Sequence, residues 1–154
     1  MAQQMENKYF TPDIEDICVG YEYEQLINQV WTKEVFAKGS YLPENIDLLN
    51  WIHSCVLSKK IRVPYLTKEQ IEAEGWELQN VLLEDDDGND MFSTGFVKSI
   101  DEYHWYELVL QKDNKIFIQY KWYRNSVAQL CRTVYYGKCK DINTFRKICK
   151  LLEI

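Results

Sequence analysis

Two carboxylates two positions apart, Glu22 and Glu24, are the first residues in the chain whose type and spacing suit chemistry. On a strand they share a face at about 7 Å, a separation that serves acid–base work or a cation. No second ligand or basic group accompanies them in sequence, so a structural or solvated pair is the expectation. The run Asp85-Asp86-Asp87-Gly88-Asn89-Asp90 invites a calcium loop. Placing Gly88 at the loop's sixth position puts Leu83 first and Thr94 twelfth, where carboxylates are required, so an EF-hand fails and a solvated turn is expected. The two histidines, His53 and His104, have no Cys, His or carboxylate at a zinc-ligand spacing. There is no nucleophile elbow, phosphate-binding glycine loop or dinucleotide fingerprint. A Cys–His dyad assembled from distant positions is the remaining route to catalysis. The chain is expected not to be an enzyme, with no cofactor and no metal.

A basic, aromatic carboxy-terminal end is the stronger candidate. Lys121, Trp122, Tyr123 and Arg124 adjoin at a strand end, Arg132 enters the next strand, and Lys138 and Lys140 flank Cys139 before a closing helix. Aromatic faces with guanidinium groups suit a nucleobase and phosphate, and a helix amino terminus offers amides to an anion. The expected anion-binding set is therefore Lys121, Tyr123, Arg124, Arg132, Lys138 and Lys140. Trp122 shares a face with Ile118 and Tyr120 and reads as core, whereas Tyr123 reads as the exposed ring.

These residues sit on a charge asymmetry. Residues 121–154 carry a net +6, so residues 1–120 carry −12 within a chain total of −6. Solvated charges and internal neutralisation are the plain explanation; a basic surface for an anionic partner is the sharper one. An extended nucleic acid is disfavoured because the acidic remainder would repel a long polyanion. An acidic nucleic-acid mimic is a weaker idea, requiring the carboxylates of 13–24 and 84–102 to be contiguous.

The elements that must position these groups read as α+β: an antiparallel β-sheet of about five to seven strands with two longer helices and one short helix packed on it. Residues 1–154 suit a single domain, with 1–8 a loose polar lead-in. Strands are expected over 17–27 and 30–37, joined at Asn28-Gln29, with a break at Gly39-Ser40. A helix follows over 44–58, with Asn45, Leu48, Leu49, Ile52, Cys55 and Val56 on one face. Pro64 makes 61–66 an edge strand at best. Thr67 and Gln70 form a capping box, and Gly75 stops the short helix. Extended segments are expected over 76–83 and 91–99. The clearest pattern begins at Tyr103. Alternating strands over 106–111 and 115–123 flank Asp113-Asn114, a third strand covers 130–136, and Asp141 caps a helix whose Phe145, Ile148, Cys149 and Leu152 form an apolar stripe.

Aromatic content of 14% argues for a globular chain, and no run approaches a membrane span. Five cysteines with no CxxC are expected to be reduced thiols in an intracellular protein. Strands rich in Tyr and Trp on both faces suggest a homodimer contact.

The stretch Tyr9-Phe10-Thr11-Pro12-Asp13-Ile14-Glu15-Asp16-Ile17-Cys18-Val19-Gly20-Tyr21-Glu22-Tyr23-Glu24, the segment 61–76 and the strand and helix of 134–152 resemble short uncharacterised proteins of tailed phages and prophages of gut Bacteroidetes. The resemblance touches about a third of the chain. It implies a small accessory role in the cytoplasm of an infected bacterial host and supplies no catalytic residue. The expectation is a non-enzymatic phage accessory protein that binds a host or viral protein, with counter-defence as one such role. The alternative is a binder that sequesters a nucleotide-type immune signal at the basic aromatic end.

Overall fold

The computed structural model describes residues 8–37, 48–84, 90–124 and 128–154. The chain forms two compact units, Met1–Tyr65 and Leu66–Ile154. The fold is α+β and, among the described residues, has antiparallel sheets of four and five strands, two longer helices and one short one.

In the first unit, β1 (Tyr9–Phe10), β2 (Glu22–Ile27), β3 (Val30–Val35) and β4 (Ile61–Pro64) are ordered β1-β4-β2-β3. Asn28 and Gln29 take positive φ (48° and 68°) and close the β2–β3 hairpin with Ile27 opposite Val30, as the turn residues suggest. β2 begins later than the expected strand: Ile14–Asp16 is a 3-10 turn, and Gly20 at φ 89° redirects the chain before Tyr21 is buried. Pro64 does not confine β4 to an edge. It is the last residue of the strand and lies opposite Tyr9, while Arg62 and Ile61 pair with β2 on the other side. Helix α1 (Leu48–Leu57) supplies Ile52 and Cys55 to a core with Tyr21, Tyr23, Phe36, Ile61 and Val63. The expected helix start at 44–47 lies outside the described residues, as do 1–7, Gly39-Ser40 and the 85–89 part of the acidic run.

In the second unit, Thr67 Oγ1 accepts from Gln70 N and Gln70 Oε1 accepts from Thr67 N, the capping box that opens α2 (Lys68–Ala73). Gly75 at φ 83° ends it. The sheet follows chain order: β5 (Glu77–Glu84), β6 (Asp90–Ser99), β7 (His104–Gln111), β8 (Lys115–Arg124) and β9 (Ala128–Lys138). Asp113 and Asn114 take positive φ between β7 and β8. Helix α3 (Ile142–Leu152) lays Ile142, Phe145 and Ile148 on Phe96, Leu108, Ile116 and Ile118, with Cys149 and Leu152 beside them. The apolar stripe and the alternating strand faces meet as their periods require. The helix ends on Glu153 at φ 59°, whose amide, with that of Ile154, satisfies the last carbonyls.

Candidate functional site

Antiparallel register decides which residues of the basic end share a surface. Tyr120 lies opposite Tyr106 on one side and Arg132 on the other; Trp122 lies opposite His104 and Leu130. These residues therefore occupy the sheet face that α3 covers further along, at Leu108 and Ile118. Lys121 and Tyr123 project from the opposite face. Lys138 pairs with Lys115, which has the parity of Lys121, so it too lies on that opposite face. Tyr123 is eight positions from Lys115 along β8, about 27 Å by strand rise.

The six residues expected to form one anion site are consequently dispersed. Arg132 is on one face and Tyr123 on the other; Lys138 and Lys140 are at the far end of the strand pair. Arg124 ends β8, and its side chain lies outside the described residues. Lys121 is not a surface cation at all. Its Nζ is 2.7 Å from Glu107 Oε2, both residues are buried, and Trp105 Nε1 donates to Glu107 Oε1 at 2.9 Å. Contiguity in sequence is a poor guide here because alternate strand residues point to opposite faces.

The amino terminus of α3 is also occupied. Asp141, 3% exposed, accepts from Thr144 N at 2.9 Å and from Thr144 Oγ1 at 3.3 Å. The amides expected to receive an external anion thus receive the chain's own carboxylate. The carbonyl of Lys140 accepts from Leu66 N at 2.7 Å, which joins this turn to the segment before α2.

What the fold does assemble is an aromatic ladder. His104 and Tyr120 are nearly parallel at 6.1 Å (9°), Tyr120 and Trp122 are stacked at 5.3 Å (23°), and Tyr106 tilts against Tyr120 at 5.2 Å. All four rings are half-buried, and Arg132 stands exposed beside Tyr120. On the reverse face Trp105 packs against Tyr123 at 5.2 Å, and Tyr123 N donates to Tyr103 O. Asp101 anchors the preceding turn: it accepts from Tyr103 N and contacts His104 Nδ1 at 2.8 Å. The Tyr103 amide first, and then the His104 ring, hold its carboxyl below the usual range.

The first unit carries a second organised surface. Arg62 binds Glu24 Oε2 through Nε and Nη2, both at 2.7 Å, and its guanidinium lies 3.7 Å from the ring centre of Tyr9 and 4.1 Å from that of Trp31. Glu24 is thereby engaged by a cation. No partner stands near Glu24 in sequence because Arg62 arrives from β4, thirty-eight residues later.

Among the described residues no group of three or more His, Cys, Asp or Glu gathers as a metal site. His53 is exposed on α1. Cys139 and Cys149 are reduced and driven first by burial to pKa values of about 12 and about 11, the opposite of an activated nucleophile; Cys18 and Cys131 are exposed. No helix among the described residues is long and apolar enough to cross a membrane.

The ladder was present in the sequence as the alternation of Tyr106, Tyr120 and Trp122 with polar neighbours. That pattern fits core and platform equally well; Tyr106 packs against the core under α3, whereas Tyr120 and Trp122 lie outside that cluster. No family model matches the chain, and no curated protein or solved structure shows significant similarity to it.

Proposed function

We propose that this protein is a non-enzymatic accessory protein that binds another protein, of host or viral origin, through the aromatic end of its five-stranded sheet. The observation that carries this reading is the half-exposed ladder His104–Tyr120–Trp122, with Tyr106 and Arg132 at its border. Tyr, Trp and Arg dominate the energetically important centres of protein interfaces. Rings already held by their neighbours lose little conformational entropy on docking. The phage resemblance of residues 9–24 motivates a partner met during infection, and counter-defence is one setting for such a contact.

A nucleotide-type ligand is the second reading, favoured by Arg132 beside the rings. Its difficulty is geometric. A base inserted between two rings needs them about 7 Å apart, twice the roughly 3.5 Å carbon contact distance. Tyr120 and Trp122 stand at 5.3 Å and so already occupy one another's faces. Insertion between these two rings is therefore closed to a base.

The test compares capture from host and infected-cell lysates by the wild type, by a Trp122→Ala/Arg132→Glu variant and by a Lys140→Glu control, each checked for folding by circular dichroism. A specific protein retained by wild type and control but lost by the ladder variant supports the reading. Equal capture by all three overturns it. A thermal-shift panel of mono-, di- and cyclic nucleotides addresses the second reading, because a ligand at a hundred times its Kd adds about 2.7 kcal/mol. A hit abolished by Arg132→Glu would transfer the surface to that class.

A further inference from the structure

The fifth strand of the second sheet is long, unpaired along one edge among the described residues, and carries two cations, Arg132 and Lys138, with no carboxylate. β9 runs over Ala128–Lys138 and among the described residues pairs on one side only, with β8. Gln129, Cys131, Arg132, Thr133, Tyr136 and Lys138 are exposed. The strand contains no acidic residue, and neither Arg132 nor Lys138 has an ion-pair partner among the described residues. Open edges present unpaired amides and carbonyls to any extended chain of suitable sequence.

The direction of those groups follows from the register. Cys139 N donates to Asn114 O at 2.7 Å, in line with the pairs Lys115–Lys138 and Phe117–Tyr136. In an antiparallel ladder hydrogen-bonded pairs alternate with pairs whose polar groups point away. The amides of Tyr136 and Lys138 therefore face the open edge. The Lys138 carbonyl is partly engaged by Tyr135 Oη at 3.0 Å, which leaves the Tyr136 amide and carbonyl as the principal outward pair.

We infer that β9 is an acceptor edge for an extended acidic peptide segment of a partner protein, which adds to the sheet as a sixth strand. Charge chooses this occupant. A second copy of β9 would add two further cations and no carboxylate to the shared edge, and like charges across a strand pair are unfavourable. A segment alternating acidic and apolar residues carries all its carboxylates on one face of the sheet, so along the stretch Tyr135 to Lys138 they meet Lys138, while its apolar residues share the face of Arg132. The irregularity between Ile118 and Gln119, which leaves Val134 without a counterpart, divides β9 into two short regular stretches. The stretch from Tyr135 to Lys138 is the one whose outward groups are identified. This contact uses backbone groups of the edge and the Lys138 cation, none of which belongs to the ladder, so either proposal survives the failure of the other.

The experiment uses the full chain and a fluorescein-labelled, end-blocked octapeptide of alternating Glu and Val, read by fluorescence polarisation. Comparison peptides replace Glu with Lys, or carry N-methyl groups on every backbone amide. The Glu peptide is expected to bind, the N-methylated one to lose at least about tenfold, and the Lys peptide not to bind. Tyr136→Pro, which removes the outward amide, should weaken binding about tenfold, while Tyr136→Ala keeps it. Lys138→Glu should reverse the preference toward the Lys peptide. Absence of binding by the Glu peptide overturns the inference, as does equal binding by its N-methylated form, which would mean charge attraction without strand addition. The N-methyl comparison leaves the protein unaltered, so it decides the matter even if a variant misfolds.

Discussion

Lys121 and Glu107 meet at 2.7 Å within the five-stranded sheet, each less than a tenth exposed, and Trp105 completes the group by donating to the same carboxylate. Breaking a buried pair leaves an uncompensated charge and costs about 3–5 kcal/mol, whereas replacing both members can be nearly neutral. Lys121→Met should therefore lower unfolding stability by about that amount. Lys121→Met/Glu107→Gln, which keeps an acceptor for Trp105, should regain most of it. Urea unfolding of the two variants checks this, and equal losses would show that the attraction between the charges matters little.

The cap of α3 is a second discrete contribution. Asp141 satisfies the Thr144 amide while buried, so Asp141→Ala should cost about 1–2 kcal/mol, at the upper end of measured N-cap losses. Asp141→Ser, which retains an acceptor, should recover part of that. Thermal unfolding monitored by circular dichroism is the measurement.

The Arg62 clasp in the first unit combines Glu24 with the rings of Tyr9 and Trp31. Exposed cation–π contacts contribute about 0.5–1 kcal/mol each. Arg62→Ala should accordingly destabilise by about 1–2 kcal/mol, and Arg62→Lys should rescue little, because an ammonium cannot stack as a planar fork does. Quenching of Trp31 fluorescence, in a background lacking the other tryptophans, would report opening of the clasp.

The thiols divide by environment. Burial raises Cys139 to about 12 and Cys149 to about 11 from 9.0, so the folded state holds these protons more tightly than the unfolded chain. Their contribution to stability is complete below about pH 9 and is lost as pH rises from there toward 11 and 12. The decline of stability between pH 9 and 11 should be shallower in Cys139→Ala than in the wild type. At pH 8 a thiol reagent should modify Cys18 and Cys131 at once and reach Cys139 only on unfolding, by mass spectrometry of the labelled peptides.

The fold class, the hairpin turns at Asn28-Gln29 and Asp113-Asn114, the capping box at Thr67 and the stripe of α3 were all legible without coordinates. Each is a local rule in which residue type and short-range period determine backbone geometry. The elements least well anticipated were those governed by long-range pairing. β4 lies inside its sheet despite Pro64 because Tyr9 and Phe10 return to cover it.

The candidate site shows the same division more sharply. Residue types along the chain are enough to make the carboxy-terminal quarter basic and aromatic. Long-range pairing keeps these residues apart. Strand parity sends Arg132 and Tyr123 to opposite faces, hairpin register carries Lys138 to the far end of β8, Glu107 neutralises Lys121 from the neighbouring strand, and Asp141 fills the helix terminus. Charge and aromaticity are properties of residues, but a binding surface is a property of register, which depends on partners distant in the chain.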